Sequence, residues 1–204
     1  MYVAIDKSWD DENMTNDLQL LFVAYYGRPG DVGGIEFWQS KVKESAFSYA
    51  PRLGDNLTNA ERPLYDRIVV DFGNSIESQR LYAGKSNQES ASAVYQYCFG
   101  RNIEVDSVTG ENYWVGKLER KEITLSQLAA EVALGAQGSD LMFISNRVKA
   151  ANLFFNAIDT PAEQLGYAGE NDANLARNWL LQFGTSAATS SLADQIMVSI
   201  VETI

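Results

Sequence analysis

Apolar residues recur along most of this chain at three-and-four spacing, the period that gathers them on one side of an α-helix. Leu18, Leu21, Phe22 and Tyr25 form one such stripe, ended by Gly27 and Pro29, and Ile35, Trp38 and Val42 form the next. Thr58 and Glu61 stand at capping-box spacing before Leu64, Ile68, Val69 and Phe72. Ser86 and Glu89 repeat that spacing before Val94, Tyr95 and Cys98, and Thr124 and Gln127 before Leu128, Val132 and Leu134. Leu141, Ile144, Val148, Ala151 and Phe155 make the longest regular stripe. Leu175, Trp179, Leu180 and Phe183 predict one further helix, and Leu192, Ile196, Ile200 and Ile204 the last. Alternation of strand length is scarce. The pattern predicts an all-α, compact domain of about 8–10 short helices of roughly three turns each.

The breaks between stripes are short. Residues 51–56 and 83–87 are polar and of loop length, and Thr160-Pro161 through Gly169 reads as a connection between the long helix and the terminal pair. The expected organisation is an amino-terminal segment over 1–16, helical units over 17–93 and 94–158, and a carboxy-terminal helical cap over 159–204.

The two middle units share a motif. Tyr25-Tyr26-Gly27-Arg28 followed by Asp31, Gly34, Phe37 and Trp38 recurs as Cys98-Phe99-Gly100-Arg101 followed by Asp106, Gly110, Tyr113 and Trp114, with three extra residues in the second loop. Each member has a physical role in a helix-turn-helix bend. Gly27 and Gly100 can take the left-handed conformation that ends a helix, and Arg28 and Arg101 can reach its unpaired carbonyls. Asp31 and Asp106 stand where they can cap the next helix, with Thr109 as a rival in the second loop. Gly34 and Gly110 leave room for two helices to approach, and Trp38 and Trp114 fill the space between them. These ten residues, Asp31 and both arginines included, are therefore assigned to structure, not to ligand binding.

Composition narrows the chemistry. Of the 204 residues, 16 are Lys or Arg and 27 are Asp or Glu, giving a formal charge of −11, which repels nucleic acid and anionic membranes at long range. Histidine is absent, which removes the usual neutral-pH proton shuttle and the commonest catalytic zinc ligand. Cys98, the single cysteine, forms no internal disulfide and reads as a small buried hydrophobe. No stretch approaches the ~20 apolar residues of a membrane span, so membrane insertion is not expected. No pair of acids stands apart from capping or surface roles, so the expectation is a protein that is not an enzyme and has no built metal site.

The segments LFVAYYGRPGDVGGIEFW and VVDFGNSIESQRLY, the latter with Phe72, Ser75 and Glu77, resemble a bacterial domain family of unknown function with the motif GRxxDxxGxxYW. CFGRNIEVDSVTGENYWVGKLERKEIT is similar to the same family, and the resemblance spans roughly residues 17–140. It is also distantly similar to the helical linker domains of phycobilisomes, which are protein-protein scaffolds. The resemblance implies the amino-terminal part of an S-layer or type I-secreted protein, extracellular and at the cell surface. It implies anchoring to a cell-surface polysaccharide or lipopolysaccharide, with self-association in a lattice as a further partner. This chain departs from the pattern by lacking calcium-binding nonapeptide repeats and a third motif in its last third.

Two expectations about ligands follow. An acidic domain meets an anionic glycan through bridging cations or local basic contacts, which makes calcium the candidate cofactor. Trp9, Tyr49, Tyr82 and Tyr167 lie outside the regular stripes, beside polar or glycine-containing loops, and are the candidate sugar-stacking rings. The alternative to glycan binding is the scaffold role, recruiting protein.

Overall fold

Side-chain caps set where several of the helices begin. In the computed structural model, which describes residues 11–44, 62–104, 112–167 and 169–201, Ser86 Oγ accepts the Glu89 N–H at 3.2 Å while Glu89 accepts the Ser86 N–H at 2.8 Å. Thr124 and Gln127 form the same reciprocal box. Among the described residues all regular structure is helical, with no strand. The order is α1 (Asp11–Leu21), a π-helical turn (Phe22–Tyr26), α2 (Val32–Glu44), α3 (Arg62–Gly73), α4 (Ile76–Leu81) and α5 (Asn87–Phe99). Then come α6 (Tyr113–Glu119), α7 (Leu125–Leu134), α8 (Gly138–Asn156), α9 (Pro161–Gly166), α10 (Glu170–Leu180) and α11 (Ser190–Val201).

Short helices raise the number above that expected. Ser75 accepts the Ser78 N–H at 3.0 Å and starts α4 directly after α3. Thr160 and Glu163 form a third capping box, with Pro161 in the first turn, so the segment read as a connection contains α9. The caps proposed for α6 are also corrected: Asn112 Oδ1 accepts the Trp114 and Val115 N–H groups. Asp106, Thr109 and Gly110 lie outside the described residues, as do Thr58 and Glu61.

Two Gly-Arg bends have matching backbones. Gly27 closes the π-helical turn at φ 67° and Gly100 closes α5 at φ 65°, both left-handed. A side chain is excluded at both for a second reason: a Cβ on Gly27 would overlap the Tyr97 ring, and one on Gly100 the Phe143 ring. At both bends the glycine N–H donates to the carbonyl four residues back, Val23 O and Gln96 O.

The arginines do not reach the helix-end carbonyls as expected. Distant arginines occupy those places: Arg177 Nε donates to Tyr26 O at 2.8 Å, and Arg147 donates to Gln96 O and Tyr97 O. Arg147 also donates to Phe183 O at 2.9 Å and is almost wholly buried, which pushes its guanidinium down to about 10. Arg28 and Arg101 instead turn to carboxylates in the first turns of α4 and α8.

Two apolar cores result. One gathers Leu18, Leu21, Phe22, Tyr25, Phe72, Val94, Cys98 and Leu128; the other gathers Ala151, Phe154, Trp179, Leu180, Met197 and Ile200. Helix α8 serves both, with Ile144 in the first and Phe154 in the second, although its outer residue Leu141 is half exposed. Burial pushes the Cys98 thiol far up, so it stays protonated and inert. Trp38 and Trp114 pack against the first core while remaining partly exposed, so they cover its edge instead of filling its interior.

Substitutions at glycine separate conformational strain from overlap. Gly84 has φ 73° and open space around it, so Gly84→Ala is expected to cost about 1 kcal/mol from backbone strain alone. Gly100→Ala adds the collision with Phe143 and is expected to cost at least ~2 kcal/mol. Denaturant melts of the two variants check the difference.

Candidate functional site

The first bend builds an ionic knot. Arg28 follows the left-handed Gly27 and lies over the rings of Phe22, Tyr26 and Tyr167, with its guanidinium carbon 5.1–5.7 Å from their centroids. Glu77, in the first turn of α4, accepts from Nε at 2.7 Å and from Nη2 at 2.6 Å, a bidentate pair. Arg28 Nη1 donates to Pro29 O at 2.8 Å and to Asp31 Oδ2 at 3.2 Å. The other oxygen of Asp31 accepts the Gly34 N–H at 2.7 Å and thereby caps α2. Gly34 is packed tightly, since a Cβ there would press on Asp31 and Phe22.

Electrostatics hold the knot charged. Burial opposes the Arg28 cation, but Tyr167, Glu77 and Asp31 overcome that penalty and the net shift is upward. Tyr167 donates its hydroxyl to Pro29 O at 2.6 Å and accepts from Arg28 at 3.2 Å. Burial pushes that phenol up to about 12. Arg177 extends the network with a 3.4 Å contact to Glu77.

An open cleft of about 740 Å³ lies over this knot. Asp31, Val32, Gly33 and Glu36 from the start of α2 line one side, and Ile76, Glu77, Arg80 and Leu81 from α4 line another. The cap supplies Gln164, Glu170, Asn174 and Arg177, with Tyr167 on the floor. Arg80 and Glu170 form an exposed pair at 3.4 Å between α4 and α10. Arg28 thus holds the bend together and also lines the cleft. Such a cleft, lined by planar amides, carboxylates and guanidiniums, can hold a polar ligand by directed hydrogen bonds.

The expected stacking rings are placed differently. Tyr167 is 4% exposed, its ring held against Phe154 and Arg28, so it offers no stacking face. Tyr82 stands beside the polar 83–87 break as expected but is partly buried: its hydroxyl donates to Tyr25 O and its ring lies 5.1 Å from that of Tyr25. Trp9 and Tyr49 lie outside the described residues. Among the described residues the exposed rings are Phe37 (51%) and Tyr113 (65%), the first members of the two aromatic pairs. Phe37 adjoins Glu36 in α2, and Lys41 Nζ lies 5.5 Å over its ring.

Arg101 pairs with Asp140 through Nη2 at 2.6 Å and Nε at 3.3 Å, and lies over Tyr95 and Phe99, but it is 39% exposed. Among the described residues no three His, Cys, Asp or Glu side chains converge as a metal group, and no helix is long and apolar enough to cross a membrane.

The difference in burial predicts different tolerance of lysine, which cannot form the bidentate fork. Arg28→Lys is expected to destabilise by about 3 kcal/mol, in the range of a broken buried pair. Arg101→Lys, screened by solvent, is expected to cost less than ~1 kcal/mol. Chemical denaturation of both variants at equal ionic strength checks the contrast. No protein family, curated protein or solved structure matches this chain.

Proposed function

We propose that the chain is a non-catalytic, extracellular anchoring domain, the amino-terminal part of an S-layer or type I-secreted surface protein, and that its cleft binds cell-surface polysaccharide, lipopolysaccharide included. The observation that carries this reading is the 740 Å³ cleft lined by carboxylates, guanidiniums and the amides of Gln164 and Asn174. Sugars present rows of hydroxyls that such planar polar side chains bind by directed hydrogen bonds. The resemblance of the Gly-Arg motif supports the surface setting and adds self-association in a lattice to the proposal.

Supporting the non-catalytic part, two lining acids are engaged in holding Arg28. Calcium enters the proposal as a bridge between the acidic protein and an anionic polymer, not as an ion within the cleft. A scaffold role is the second reading, favoured by Ile76 on the cleft and Leu165 on α9, which are 68% and 75% exposed.

Gly33 permits a clean test, since little lies within reach of a Cβ there and the position faces the cleft. Gly33→Trp is expected to weaken co-sedimentation with cell-envelope polysaccharide at least ~10-fold while shifting stability by less than ~1 kcal/mol. Runs with calcium and with chelator separate bridged from direct binding. Undiminished binding by the blocked variant counts against the cleft, and binding to glycan-free protein partners alone supports the scaffold.

A further inference from the structure

One corner of the cleft sets hydrogen-bond donors beside an acceptor, each fixed at one end and open at the other. We propose that this corner, formed by Arg80, Glu170 and Asn174, is a subsite for two adjacent hydroxyls of one sugar ring; the inference rests on the cleft being the saccharide site just described.

The fixed ends are set by the protein. Arg177 Nη1 donates to Asn174 Oδ1. A guanidinium has donors only, so the amide is held with its oxygen toward Arg177, and its Nδ2 donates to nothing among the described residues. Arg177 is itself anchored through Nε to Tyr26 O at 2.8 Å, which ties Asn174 to the first bend. Arg80 Nη1 on α4 stands 3.4 Å from Glu170 Oε2 on α10, a long contact between two exposed side chains. Nε and Nη2 of Arg80 and the second oxygen of Glu170 have no partner among the described residues. Glu170 and Asn174 are four residues apart on α10, one turn along the same face, and both line the cleft. Glu36 and Gln164 line it without such a tether, so a ligand that used them would have to order them first.

This juxtaposition decides the chemistry. A hydroxyl both donates and accepts, whereas a lone acid uses only donors and a lone amine only acceptors. Two hydroxyls on neighbouring ring carbons use both kinds at once: one donates to Glu170 while the other accepts from Asn174 or Arg80. The Arg80–Glu170 contact need not break, since the guanidinium keeps two further nitrogens. No charge on the sugar enters the match. The acid groups of an anionic polymer lie outside the subsite, where calcium bridges them to the protein.

Isothermal titration of the full chain, in chelator, with cellohexaose, mannohexaose and laminarihexaose tests this. All three are neutral and equal in length. Inner rings of the first two keep adjacent hydroxyls, in trans and in cis, while inner rings of the third keep none, because its linkage takes the position between the free ones. At least one of the first two is expected to bind about 10-fold more tightly than laminarihexaose, the worth of one well-made hydrogen bond. Asn174→Asp keeps an acceptor for Arg177 and removes the open donor. It is expected to weaken the favoured oligomer about 10-fold and laminarihexaose less than about threefold, with the melting temperature unchanged. Glu170→Ala, which removes the acceptor at an exposed position, is expected to do the same. An equal response to all three oligomers, nil included, overturns the proposal, and so does a favoured oligomer whose affinity both variants leave intact. Envelope binding that is lost in Gly33→Trp, with no preference among the oligomers, would leave the cleft as the saccharide site and remove the hydroxyl-pair subsite.

Discussion

A guanidinium withdrawn from water has to be met on every side, and the Arg28–Glu77 pair is where this chain meets that demand. The pair joins two points 49 residues apart and gives the buried guanidinium a bidentate carboxylate partner. Satisfying Arg28 recruits the Pro29 carbonyl, Asp31 and Tyr167, and satisfying Glu77 recruits Arg177. The start of α2, the start of α4, the end of α9 and the end of α10 thereby converge on one cation. The cleft exists because these four elements meet through long polar side chains at that place.

Much of the helical framework was legible from spacing and caps. Ser86/Glu89 and Thr124/Gln127 form the boxes that their three-residue separation implies, and Leu18, Leu21, Phe22 and Tyr25 are buried as a stripe. Errors arose where a rule was applied without a neighbour's competing claim. Thr160 and Glu163 carry the same capping signal, but Pro161 and the glycines around it suggested a connection. Arg28 and Arg101 were reasonable donors for helix-end carbonyls, yet Arg177 and Arg147 arrive there from 151 and about 50 residues away.

The cleft was less legible than the fold. Glu36, Arg80, Glu170 and Asn174 look like ordinary surface residues in a sequence with 27 acids, and only tertiary packing brings them to one opening. Of the expected stacking rings, Tyr82 and Tyr167 are held inward by their hydroxyls, which spacing does not reveal. Periodicity places an aromatic on a helix but does not say which of two adjacent rings faces outward. Trp38 and Trp114 pack inward while Phe37 and Tyr113, in edge-to-face contact with them at 5.1 and 5.0 Å, are left in solvent.

The π-helical turn has a consequence for cooperativity. Phe22, Tyr25 and Tyr26 belong to the first core, whereas Val23, within the same turn, belongs to the second. Helix α8 is likewise divided along its length. Detaching the last three helices would therefore strand apolar surface in the middle of the remaining chain, which couples the unfolding of one half to that of the other.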